Sequence, residues 1–364
     1  MPMSVNTSAA RLTLASPADV LAAVPYLVGF HPSASLIVLG IVQNQVQLAA
    51  RWNLPLPSQA LLPLEPALTR ERIEEVILIG YGDGPQVTPA IDQAGQLAAR
   101  LGVQVGEALR CHGGRYWSYV CDLAQCCPPE GTPYDPATSR VAAEATVHGM
   151  VALPDRAALE GTLSPLTGPV RLSMRNATAT AVAAVRSRFA KAADPDRFAR
   201  EFVTQGLVRV RAALAVHAAG GRLDDAEAAR LGLDLAVIRV RDEAWTLMDD
   251  SHAGLWRDLT RRLEPPFVPA VASLLAMSSW RTGDSVLAVI ALERALAIDP
   301  SYSMANLLMH ALQNLLAPTL LADRLPTPAD LERTMGIPRA SWLLPLFPLL
   351  DDPPDIPAPR TPAL

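Results

Sequence analysis

The chain has 364 residues, room for two domains at roughly 100–200 residues each. Half of it is hydrophobic but 5% is aromatic, so Ala, Leu and Val must build the core, and a charged share of 18% is low for a disordered chain. A net charge of −5 and a pI near 5.7 argue against a broad phosphate-binding surface, so nucleic acid is not an expected partner.

No run approaches the roughly 18 or more uninterrupted apolar residues of a membrane span. The start, MPMSVNTSAARLTLASPADV, has no apolar stretch followed by a small-residue cleavage site. The expectation is a cytoplasmic protein without a membrane partner, its four cysteines being thiols or metal ligands rather than disulfides.

Ser16-Pro17-Ala18-Asp19 reads as a helix start: Ser16 caps free amides, Pro17 fits the first helical position, and Asp19 suits the positive end of the dipole. Pro25 should break or kink this helix, and Gly29 suits a left-handed exit. After the turn Phe30-His31-Pro32-Ser33, Ser35 to Val42 is a buried strand, Gln43-Asn44-Gln45 a hairpin turn, and Val46 to Asn53 its partner strand. A proline-punctuated loop follows to Pro66. Glu75 to Gly80 is a second buried strand, Thr88 to Leu101 a helix, and Val103 to Arg110 a strand whose hairpin partner, Arg115 to Val120, lies across His112-Gly113-Gly114. Ser139 to Gly149 is helical.

The stretches ADVLAAVPYLVGFHPSASLIVLGI, GRYWSYVCDLAQCCPPEGTP and SRVAAEATVHG together resemble a mainly actinobacterial family called domain of unknown function 4192. The resemblance extends to about residue 320 and implies membership, with no activity attached to it.

From about Pro154 the strand-like runs stop. Helices are expected over Ala177–Ala192, Pro195–Ala219, Asp224–Met248 and Ser251–Leu263. The segment from Ala270 to Pro300 resembles one tetratricopeptide-type repeat, with Gly283-Asp284 as its turn and Pro300 starting the next helix. Thr327-Pro328 opens a last helix before a proline-rich tail. The fold expected is therefore an α/β domain with a mixed sheet over residues 10–152, followed by an all-α domain over 155–320 that includes the hairpin at 270–300. Residues 321–364 form a terminal helix and tail.

Chemistry concentrates between Arg110 and Pro133, which hold all four cysteines. Cys121, Cys126 and Cys127, with Cys111 and His112 nearby, carry the sulfur and nitrogen donors that zinc takes, although the spacing is not the paired C-x2-C form. Structural thiols, a redox pair such as Cys121–Cys127, and a catalytic thiol based on His112 remain open beside it. Arg115, Trp117 and Tyr119 can line a ligand pocket or simply pack the hairpin. His31, Asp83 and Glu130 are candidate acid–base groups. The bland alternatives are a turn histidine before Pro32, a helix cap and a loop carboxylate. Gly80-Tyr-Gly-Asp-Gly84 lies where α/β sheets bind ligands but lacks a phosphate-loop spacing. The arginines at 186, 188, 197, 200, 209 and 211 read as a solvated helix face.

Two classes follow. One is a binding or scaffold protein without a cofactor, holding a ligand near the cysteine loop and a protein partner on its helices. The other is a hydrolase or transferase using His31, Asp83, Arg115 and Glu130. A zinc-stabilised interaction module is a third reading.

Overall fold

The computed structural model describes residues 3–6, 11–322 and 325–350. The extended proline-rich tail expected over 345–364 lies outside them beyond Leu350, and its described start is helical instead of extended. Two compact units emerge. The first comprises the described residues up to Thr162 with Trp280–Val289 and Met309–Pro318. The second comprises Leu163–Ser279, Ile290–Leu308 and the described residues from Thr319 onward.

Among the described residues the sheet unit carries eight strands: β1 (Met3–Asn6), β2 (Arg11–Leu14), β3 (Ser35–Val42), β4 (Gln45–Asn53), β5 (Glu75–Tyr81), β6 (Gln104–His112), β7 (Arg115–Ser118) and β8 (Thr132–Pro133). Their order is β2-β1-β4-β3-β5-β6-β7-β8. β5 and β6 run parallel, as do β1 and β4 at a single pair, and the other neighbours are antiparallel, so the sheet is mixed as expected. The first helices are α1 (Pro17–Val28), α2 (Leu64–Arg70), α3 (Gly84–Arg100), α4 (Arg140–Val147) and α5 (Arg156–Gly161).

Alternation along β3 and β5 explains why both faces are covered. Leu36, Val38, Val76 and Leu78 join one core with Val87, Ala90, Ile91 and Ala94 of α3. The intervening Ile37, Leu39, Ile77 and Ile79 are equally buried, on the opposite face. A strand buried on both sides reads as a continuous apolar run, which is what SLIVLGIV and EVILIGY are.

Ser16 caps α1 by accepting from the Asp19 amide, and Gly29 closes it at φ 81°. Of the break or kink expected at Pro25, the break does not occur: the helix continues through it. Proline lacks the amide that would donate to the Leu21 carbonyl. The β3–β4 turn places Gln43 and Asn44 at φ 49° and 61°, the left-handed pair that matches strand twist. α3 begins at Gly84 rather than Thr88, because the Asp83 side chain caps it by accepting from the Gln86 amide at 3.2 Å. The β6–β7 turn needs Gly113 and Gly114, both at positive φ.

The second unit is helical: α6 (Gly168–Ala190), α7 (Pro195–Ala218), α8 (Asp225–Leu235), α9 (Ile238–Leu247) and α10 (Ala253–Arg262). The single helix expected over 224–248 is two, broken at Ala236-Val237. Arg209 and Arg211 do more than present a solvated face. Their guanidiniums reach the fully buried carboxylates of Asp234 and Glu243. Further on come α11 (Val268–Arg281), α12 (Ser285–Ile298), α13 (Ser303–Gln313), α14 (Thr319–Ala322), α15 (Pro328–Met335) and α16 (Phe347–Leu350). The turn between α11 and α12 has Gly283 at φ 86°, and Pro300 lies in the turn before α13 rather than starting it. Among the described residues, no helix is long and apolar enough to cross a membrane.

Candidate functional site

In the sheet unit, β5 and β6 are joined through α3, and their carboxyl ends finish side by side with Tyr81 opposite Cys111. β3 runs antiparallel to β5, so its first residue, Ser35, pairs with Tyr81 at the same edge. Cys111 pairs in turn with Tyr116 of β7. Ser35, Tyr81, Cys111 and Tyr116 thus form a row across one face of the sheet. Loops leave the sheet at this edge, and a crevice outside the strand carboxyl ends is the usual ligand position in such sheets.

A cleft of about 510 Å³ opens here, lined by His31, Tyr81, Asp83, Cys111, His112 and Tyr134, with Leu21 and Pro25 of α1. Small-molecule sites span about 300–1,000 Å³. His31 is positioned by its own amide, which donates to the Leu153 carbonyl at 2.9 Å. Gly82 donates to the Cys111 carbonyl at 3.0 Å, tying the loop after β5 to β6. The Tyr81 and Tyr134 hydroxyls are buried without a hydrogen-bond partner among the described residues, and the Tyr134 ring meets Tyr116 edge-on at 6.3 Å.

The wall is a set of protonated donors. Burial pushes the Cys111 thiol up to about 11. Burial, then the neighbouring Cys111 and Tyr134, raise Tyr81 well above the usual phenol range. Tyr134 is raised for the same first reason, with Cys111 next. Because the folded value for Cys111 lies above its ordinary value of 9, its neutral form favours the fold. That contribution is complete below about pH 9 and disappears as pH rises through about 11. Urea midpoints of the full chain should therefore fall across this window, and Cys111→Ser should flatten that fall. Equal slopes in both proteins would remove Cys111 as its source.

The candidate residues separate into three groups. His31, Asp83 and His112 share the cleft, although Asp83 also caps α3. Arg115, Trp117, Tyr119 and Glu130 are not among its lining residues. Arg115 donates to the Gly131 carbonyl at 2.7 Å, and the Trp117 indole to the Pro129 carbonyl at 3.0 Å. The Arg110 guanidinium lies 3.7 Å from the Trp117 ring centre. The Tyr119 hydroxyl meets Thr88 at 2.7 Å, and the Glu130 carbonyl accepts from Arg115 at 3.4 Å. These contacts hold the long β7–β8 loop to the sheet. The third group is Cys121, Cys126 and Cys127, whose sulfurs all lie within 4.8 Å of one another; His112 belongs to the cleft and not to this cluster.

Sequence patterns do not single out Tyr81 or Tyr134, and they point to Cys111 as a donor beside the cysteine cluster, whereas it lines the cleft. A usable signal existed for Tyr81. A polar-tipped aromatic ending a wholly apolar strand, directly before Gly82, sits at a strand carboxyl end where ligands bind.

No curated protein and no solved structure matches the chain. One family's sequence model does, over residues 17–319, under the description domain of unknown function (DUF4192). That span covers most of the sheet-forming and helical sequence, and the chain belongs to this family.

Proposed function

We propose that the sheet unit is a binding module for a small organic ligand rich in hydrogen-bond acceptors, held in the cleft beyond β5 and β6. The observation that carries this reading is the pair of buried, unpartnered hydroxyls on Tyr81 and Tyr134. Buried polar groups are nearly always hydrogen-bonded, and an orphan costs about 1–3 kcal/mol, which a ligand acceptor recovers. His31 and His112 add imidazole contacts, while Leu21 and Pro25 supply an apolar wall. Among the described residues no arginine or lysine lines the cleft, which favours a neutral ligand over a phosphorylated one. Such a module suits the reducing cytoplasm, where its four unpaired thiols stay reduced.

Native mass spectrometry of the full chain against fractionated small-metabolite extract tests this. The expected result is a stoichiometric adduct whose affinity falls about 10- to 100-fold in Tyr81→Phe and also drops in His112→Ala. An adduct indifferent to both substitutions, or none in any fraction, would sink the reading.

A second reading, a hydrolase or transferase at the same cleft, draws support from two imidazoles lining one cavity, the arrangement an acid and a base require. It needs turnover of the captured ligand that His31→Ala and His112→Ala each abolish. Binding without conversion leaves the module reading in place.

A further inference from the structure

The cysteine cluster stands apart from the cleft. The β7–β8 loop is tied to the sheet at both ends: Tyr119 donates to the Ala108 carbonyl at 2.8 Å, and Arg115 and Trp117 grip Gly131 and Pro129. Between these anchors the chain turns on Leu123, whose carbonyl accepts the amides of Cys126 at 3.1 Å and Cys127 at 2.8 Å. The turn folds both adjacent cysteines back toward Cys121. The Cys121 and Cys126 sulfurs come within 3.1 Å, and the three sulfurs span at most 4.8 Å.

A packing role does not explain this arrangement. Free cysteine is among the most buried residue types, yet Cys126 is exposed and Cys121 and Cys127 are only partly buried. Three of the four cysteines of the chain meet at one loop tip, held there by one another and by the Leu123 carbonyl. The fourth, Cys111, lines the cleft instead.

We propose that Cys121, Cys126 and Cys127 form a three-thiolate site for a single zinc ion. Zinc–sulfur bonds of about 2.3 Å in a tetrahedron set sulfurs about 3.8 Å apart, a spacing that small rotations of these side chains supply. Thiolates select thiophilic ions, and zinc accepts the tetrahedral field of three sulfurs with a water in the open fourth position. Glu107 lies close enough to act electrostatically on Cys121, adding to the negative field that favours a cation. The step balances as one Zn2+ taking three thiolates and releasing three thiol protons, so affinity rises with pH. The bound ion closes the turn and makes the loop tip as rigid as its anchored ends.

The test uses reduced, metal-free full chain titrated with Co2+ and then Zn2+. The expected result is one cobalt per chain with sulfur-to-cobalt charge-transfer absorption, bleached by one equivalent of zinc. Thiol titration should show three cysteines protected by zinc. Cys126→Ser and Cys121→Ser are expected to weaken binding by about 100-fold or more, a larger loss than removing an outer-shell partner causes. Circular dichroism of these metal-free variants should match the parent, since serine nearly preserves volume at these positions. Cobalt binding without charge transfer, affinity unchanged by either substitution, or uptake of Cu+ but not zinc overturns the proposal. So does a Cys121–Cys126 disulfide whose reduction restores no metal binding. These readouts follow the metal and not the organic ligand, so this proposal and the cleft reading fail separately.

Discussion

Glu243→Ala should destabilise the helical unit by about 3–5 kcal/mol. Glu243 on α9 is fully buried and binds two guanidiniums: Arg239 one turn earlier at 2.7 Å and Arg211 of α7 at 3.0 Å. Arg239 is itself 7% exposed at its side chain, so removing the carboxylate leaves a buried positive charge without a partner. The penalty is that of an uncompensated charge rather than of one lost contact. Asp234 on α8 repeats the device with Arg230 one turn earlier and Arg209 of α7. Two buried carboxylates thus fix how α7 meets α8 and α9. The exposed pair Arg197–Glu201 provides the contrast, because water screens it and Glu201→Ala should cost under about 0.5 kcal/mol. Urea denaturation followed by far-UV circular dichroism separates the cases. Equal small shifts for Glu243→Ala and Glu201→Ala would mean that Arg239 finds water once freed.

The second large effect belongs to the sheet unit. Gly80→Ala should cost about 1–3 kcal/mol by overpacking. A Cβ at Gly80 would lie 2.1 Å from Cγ1 of Val87 and 3.1 Å from its Cβ and Cγ2. Val87 is fully buried in the first turn of α3 and cannot swing away as a long side chain would. The helix must lift from β5, and Asp83 and Gly82, which border the cleft, move with it. Ligand binding should therefore weaken along with stability. The double variant Gly80→Ala/Val87→Ala should recover part of the stability, since each change makes room for the other. Gly95→Ala on the same helix should act oppositely. Its nearest neighbour is Leu78 at 3.8 Å, ordinary contact, and alanine in a helix interior is favoured by about 0.5–1 kcal/mol. If Gly80→Ala proved neutral, the close approach of α3 to β5 would not limit the fold.

Both results bear on how the site is built. The cleft needs α3 pressed against β5 so that the Gly82-Asp83 loop stays short, and it needs β6 beside β5 so that Cys111 comes next to Tyr81. The cysteine loop has a different dependence. Its anchors are Arg115, Trp117 and Gly131, and Gly131 at φ 83° sits so close to the Trp117 ring that a Cβ there would come within 2.5 Å.

Local rules determined much of the secondary structure. Ser16-Pro17 and Gly29 bound α1, and Gln43-Asn44 marked the β3–β4 turn, because caps and tight turns depend on residues a few positions apart. The apolar runs of β3 and β5 announced strands buried on both faces. The sequence also concentrates its cysteines in one segment. α3 starts four residues before the Thr88 its sequence suggests, because Gly82, Gly84 and Pro85 favour a turn by local rules while the Asp83 side chain caps the helix there. Tertiary structure alone decided the site. His31 and His112 come to one cleft through an antiparallel β3–β5 pair and a parallel β5–β6 pair, and strand partners are chosen by burial across the whole sheet, which no short pattern encodes. The same holds for Arg115, whose guanidinium the Glu130 and Gly131 carbonyls of its loop occupy. It holds too for Cys126 and Cys127, whose convergence on Cys121 depends on the turn around the Leu123 carbonyl.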